Sequence, residues 1–303
     1  LDSNPAEQLP GELAAAIAKL PLSVALTDRP SATAKACKIV AAAHHVLERW
    51  SDAHVRGDML SVAQPTVRPL FETRDPMSSI LLWSGDQRSF RDFLRATWSD
   101  KVSPGRAFFN SALSKGYVTA PIAAAAFGGE PKLEAKGADS AALGKLFATL
   151  QAPSKGLEVE LLEEVGPRDG RSSFNPWLRE LPDPLTRASW VATARIAPSL
   201  AKSNGIQDGD DISVTVGKVT VTMQARIAPG QHPQVIGVPV GYGVVDGDGG
   251  AKERNGYRLA TFSAAGLKTA GLGATLARVG SGKKLPLMQW ASSTHGRPIV
   301  HQV

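Results

Sequence analysis

Any chemistry in this chain would have to come from a small set of side chains. Six histidines stand at positions 44, 45, 54, 232, 295 and 301, none in an HxxxH or HExxH spacing. His44 and His45 are adjacent, so in a strand or helix their rings point in different directions and do not share a metal. Ordinary surface or hydrogen-bonded histidines are the expectation. A Ser-His-Asp triad is assembled from distant positions, but no GxSxG elbow marks a nucleophile. Cys37 is the single cysteine. Alone it cannot form an intrachain disulfide, a CxxC redox pair or a cysteine cage for zinc or an iron-sulfur cluster. Its flanks, Ala36 and Lys38 before the apolar Ile39 and Val40, suit a small buried residue.

Three glycine-rich stretches could approach a ligand. Asn204 to Asp211 carries Asp208, Asp210 and Asp211, but it lacks the alternating Asp pattern and closing Glu of a calcium loop. Gly205 and Gly209 fit positive-φ turns, with the aspartates bonding local amides. Gly247, Gly249 and Gly250 form a loop without a phosphate signature. Val238 to Gly243 is the informative one: a strand ending in Gly241-Tyr242-Gly243 lets the backbone approach a ligand or a neighbouring loop closely. Downstream, Asn255 in Arg254-Asn255-Gly256 offers both a donor and an acceptor. Packing at a barrel mouth accounts for the same residues, and the two readings stay open.

The elements that would carry these residues fall into two patterns. Up to about residue 113, short apolar runs alternate with helical stretches, as in a parallel sheet covered by helices. Leu22–Leu26, Ile39–Ala43 and Leu60–Ala63 read as strands, with Ile39–Ala43 buried. Phe90, Phe93, Leu94 and Trp98 recur at three- and four-residue spacing and predict one packed helix face. Residues 120–157 read as a surface excursion, and Leu157–Leu162 as a half-exposed strand. Further on, Ile212–Val216 and Val219–Met223 flank the Gly217-Lys218 turn, Ala225–Ala228 continues toward Pro229-Gly230, and Val235–Val240 follows. Short strands at this spacing predict a closed or nearly closed barrel.

Composition bounds the rest. The 303 residues suffice for one large domain or two ordinary ones. The 34 Lys and Arg exceed the 28 Asp and Glu by six, yet they are scattered. Clustered cations are what a nucleic-acid surface needs, so no nucleic acid is expected. No apolar run approaches the roughly 20 residues of a spanning helix. The chain starts at Leu1, and Leu1–Pro10 lacks the charged and apolar regions of a signal peptide. A processed or partial chain is the expectation.

Several segments resemble, in order, the C-terminal barrel of molybdopterin-dependent oxidoreductases: Asn175–Leu185 (NPWLRELPDPL), Trp190, Gly205–Asp210, Pro229–Pro233 and Val238–Gly243. They are more closely similar to the B-subunit family of alternative complex III, a bacterial quinol-oxidising assembly. His45–Ala53, Gly57 and Ser61–Pro69 resemble that subunit's segment before the barrel, and His295–Val300 resembles the stretch before its ferredoxin-like part. NPWLRELPDP is the most specific match, and about 120–157 is the poorest.

The resemblance implies a fold: an α/β layered domain over 1–170, followed by a double-psi type β-barrel domain over 171–303. It also implies a non-catalytic scaffold on the periplasmic side of the bacterial inner membrane. The partners it implies are an iron-sulfur ferredoxin-like part, a multihaem cytochrome c and integral membrane quinol-binding subunits. Iron-sulfur clusters and haem c would sit on those partners, and this chain would hold no cofactor and no metal. Arg187, Arg254 and Arg297 are then interface candidates, while Gly241, Tyr242, Gly243 and Asn255 are vestigial pterin-site candidates. The alternative is the C-terminal half of an active molybdopterin oxidoreductase, in which those four residues line a working pterin site.

Overall fold

The computed structural model describes residues 4–9, 13–56, 58–102, 106–119, 137, 139–150, 156–242, 254–263 and 266–287. The chain forms two compact units, one of residues 18–145 and one that joins 3–17 to 146–303.

In the first unit, β1 (Val24–Thr27) and β2 (Ile39–Ala42) pair in parallel, and β3 (Ser51–Arg56), β4 (Met59–Ala63) and β5 (Tyr117–Thr119) form an antiparallel sheet in that order. The expected buried strand at Ile39–Ala43 is an exposed one: Ile39 is 50% and Val40 55% accessible. Among the described residues these two strands pair with each other, and beyond that there is one bridge from Ala43 to Arg74, so an apolar run that reads as buried finds too little to cover it. Asp75 opens the helix Pro76–Trp83 by accepting the N–H groups of Met77 and Ser78 at 2.8 and 3.2 Å. Ser89 likewise caps the helix Phe90–Lys101, accepting from Asp92 N–H.

The predicted stripe on that second helix is the centre of the core. Phe90, Leu94 and Trp98 are buried with Leu60, Val62, Phe109 and Ala112. Trp98 meets Phe109 edge-on at 5.5 Å and donates from Nε1 to Asp52 Oδ2 at 3.0 Å, so its one polar atom is satisfied inside. Cys37 is half-buried instead of fully buried, because it ends the helix Ala32–Ala36 at that unit's surface. Within 120–157, the stretch Ser140–Leu150 is helical, as its Ala and Leu content favours. Residues 120–136 lie outside the described residues.

The second unit is built on a closed six-stranded barrel. Its strands are β6 (Leu157–Leu162), β7 (Thr193–Ile196), β8 (Asp211–Val216), β9 (Val219–Ile227), β10 (Val235–Pro239) and, after the small hairpin of β11 (Thr261–Ser263) and β12 (Gly266–Lys268), β13 (Leu272–Gly280). Around the barrel the order is β10-β6-β13-β8-β9-β7, closed by an antiparallel β10–β7 pairing, with β6–β10 and β7–β9 parallel. Alternate residues turn inward: Ala194 and Ile196, Ile212 and Val214, Val221, Met223 and Ala225, Ile236 and Val238, with Val159 and Leu272. Each fully buried aliphatic side chain contributes about 1.5–3 kcal/mol, and closure leaves no sheet edge open. The aspartate-rich turn before β8 behaves as expected, with Gly209 at φ +90° and Asp210 accepting Gln207 N–H at 2.8 Å. Among the described residues no helix is long and apolar enough to cross a membrane.

Candidate functional site

On β7, Ala194 and Ile196 fill the barrel, so Thr193 and Arg195 face outward. The same alternation on β9 sends Gln224 and Arg226 outward. All four are nevertheless buried. Carboxylates meet the cations there: Arg195 Nη2 donates to Glu164 Oε1 at 3.3 Å and to Asp183 Oδ2 at 3.1 Å, and Arg226 Nη1 donates to Asp208. Asp183 also accepts the N–H groups of Leu185 and Thr186, which fixes the turn over this face.

Tyr242 completes the group, donating its hydroxyl to Glu164 Oε2 at 2.6 Å. Burial pushes the Glu164 carboxyl above its ordinary range, although the Tyr242 hydrogen bond and Arg195 pull the other way. Burial and the adjacent Glu164 charge push the Tyr242 phenol up. The Tyr242–Glu164 bond joins residues 78 positions apart in sequence.

The other expected pterin residues are equally occupied. Gly241 sits at φ +83°, and a Cβ there would stand 2.4 Å from Arg168 O and 2.8 Å from Gly170 N. Its carbonyl accepts the Ser173 hydroxyl. The close backbone approach that glycine permits is therefore made to the chain's own 168–170 turn. Asn255 accepts Tyr257 N–H at 3.0 Å and donates both to Glu7 O at 3.0 Å and to Glu7 Oε1 at 2.9 Å. The Gly241 carbonyl, the Tyr242 hydroxyl and the Asn255 amide thus all have partners within the chain. Gly243, Gly247, Gly249, Gly250, Arg297, His295 and His301 lie outside the described residues.

A different arrangement exists in the 18–145 unit. At the carboxyl ends of β1 and β2 a cavity of about 580 Å³ is lined by Asp28, Arg29, His44, His45, Trp50 and Asp52, among others. Open α/β sheets bind ligands in this position. His44 Nδ1 lies 2.6 Å from Thr73 Oγ1. His45 accepts Leu47 N–H while its own N–H donates to Glu48 Oε2, a capping box on the short 3-10 turn Val46–Glu48. Burial opposes the charge on Asp28, but the Arg29 guanidinium holds its carboxyl below the ordinary range. Both histidines thus line one cavity, His44 held by Thr73 and His45 by its own capping turn. No cluster of three or more metal-ligating side chains occurs among the described residues.

Sequence reasoning passed over Glu164, Asp183 and Arg195. One signal was available: Ala194-Arg195-Ile196-Ala197-Pro198 recurs as Ala225-Arg226-Ile227-Ala228-Pro229, each placing one charge in an otherwise apolar strand. A lone charge in such a run marks an outward position that needs a partner.

No family model and no curated protein matches this sequence. The structure is similar to that of acetylene hydratase from Pelobacter acetylenicus, with a TM-score of 0.64 at 17% identity over 92% of this chain. The matched part is 43% of that protein, so this chain spans less than half of its length. The closed barrel, the α/β unit and this likeness together give the chain a molybdopterin oxidoreductase-like fold.

Proposed function

We propose that this chain is a non-catalytic scaffold in a respiratory quinol oxidoreductase similar to alternative complex III. On this reading it stands on the periplasmic side of the bacterial inner membrane and fixes the geometry between an iron-sulfur part, a multihaem cytochrome c and membrane quinol-binding subunits. The observation that carries the reading is the saturation of the expected pterin residues: Tyr242 is spent on Glu164, Asn255 on Glu7, and Gly241 on the 168–170 turn. A fold persists in this way when its polar groups are turned to holding the chain together. The NPWLRELPDPL run supplies partner surface, with Trp177 83% and Leu185 76% accessible. Large exposed apolar side chains of this kind are typical interface anchors.

Metal analysis and optical spectra of the purified chain test the proposal. The expected result is no stoichiometric molybdenum, iron or haem, together with loss of haem-bearing partners from affinity-purified complex when Trp177 is replaced by Ser. Stoichiometric molybdopterin would overturn it.

The cavity at the carboxyl ends of β1 and β2 favours a second reading, the C-terminal half of an active molybdopterin oxidoreductase, since a nucleotide-bearing cofactor would find a crevice there. The substitution Arg29→Gln, in the lining of that cavity, separates the two. Lower cofactor occupancy on combining the halves supports the enzyme, whereas a chain with no occupancy to lose supports the scaffold.

A further inference from the structure

The repeated Ala-Arg-Ile-Ala-Pro pentapeptide has a spatial consequence that goes beyond the scaffold reading. β7 and β9 pair in parallel with Arg195 opposite Arg226 and Ile196 opposite Ile227, so the two copies lie side by side in register. Two guanidinium-bearing side chains therefore leave neighbouring strands on the same outer face. Like charges placed directly opposite each other repel unless anions lie close by. Arg226 is held by the carbonyl of Thr186 and by Asp208. Arg195 reaches its two carboxylates only through Nη2, and its buried Nε has no acceptor among the described residues. The residue is 9% accessible, so bulk water does not serve that N–H either.

A cavity of about 710 Å³ adjoins this pair. Its lining brings together Arg187, Arg195 and Arg226 with Leu185, Ile227 and Pro229, and its single carboxylate, Asp208, is already bonded to Arg226 and to Ile227 N–H. The volume is that of a small-molecule pocket. Guanidinium forks match a planar carboxylate, and the apolar walls match a short hydrocarbon tail. A phosphate dianion would bring two charges beside Asp208 and gain nothing from those walls. We propose that this cavity binds a small aliphatic carboxylate, its head between the arginines of the repeat and Arg187 and its tail against Leu185 and Pro229.

Titration of the intact chain with sodium butyrate, followed through the arginine Nε–H resonances, tests this. A saturable shift of one buried Nε–H is expected, with no shift from butyramide and weaker binding of inorganic phosphate. Arg187→Gln, at an exposed position, should weaken butyrate at least about tenfold while leaving the melting temperature unchanged. Leu185→Ala should weaken butyrate but not acetate. The proposal is overturned by absence of a saturable shift, by an equal response to butyramide, by tighter binding of phosphate, or by unaltered butyrate affinity in Arg187→Gln.

Discussion

The barrel unit and the 18–145 unit treat their polar side chains differently. Outside the barrel, charged groups are bonded over long sequence separations: buried Glu164 to Tyr242, buried Arg195 to Asp183, and buried Asp210 to the exposed Arg278. In the 18–145 unit the polar groups beside β1 and β2 line an open cavity, some held by near neighbours in sequence, Asp28 by Arg29 and His45 by Glu48, and others from farther along the chain, His44 by Thr73 and Asp52 by Trp98. A closed barrel already has its core, so its outer face can take a second buried layer, which must be paired because unpaired buried charge is costly. A two-stranded parallel sheet leaves its strand ends uncovered, and that is where space for a ligand remains.

The largest test of this contrast is Trp98→Ala in the core of the 18–145 unit. Removing the fully buried indole should cost about 3–5 kcal/mol. Hydrogen exchange should show protection lost across 51–119 and retained across 193–227. Equal loss in both would mean that the two units unfold as one.

Gly241→Ala should cost about 3 kcal/mol, because the new Cβ would collide with the Arg168 carbonyl at a positive-φ position. A denaturant midpoint close to that of the parent chain would mean that the 168–170 turn yields easily and that the backbone approach at Gly241 serves something else.

The smallest effect is a pH slope. Glu164 has a raised folded-state pKa, so between its ordinary value and that raised value the native state binds more protons than the unfolded chain. Stability should therefore fall as pH rises through this window, and the loss should be complete above the raised value. Glu164→Gln should remove that part of the slope. An unchanged slope in urea midpoints measured across acidic to neutral pH would mean that Glu164 is ionised in the folded chain as readily as in water.

Much of the architecture could be read from local pattern. Phe90, Leu94 and Trp98 lie on one helix face as their spacing demands, and the alternation in Ile212–Val216 and Val219–Ile227 produces two adjacent barrel strands. Ile39 and Val40 misled, since an apolar run reports a preference for burial and not whether a neighbouring layer exists to supply it. The candidate sites were legible only in part. Gly241 and Asn255 stood out as residues able to bond or to approach closely, but Arg168 and Glu7, which they meet, lie 73 and 248 positions away.

From residue order alone came the strand and helix periods and the glycine at the end of β10, because these depend on neighbours within a few positions. Which strands pair, and therefore that Arg195 stands beside Arg226 and that Tyr242 closes onto Glu164, was decided by tertiary structure. Barrel closure fixes the register between segments distant in sequence, and register determines which polar groups must satisfy one another away from water.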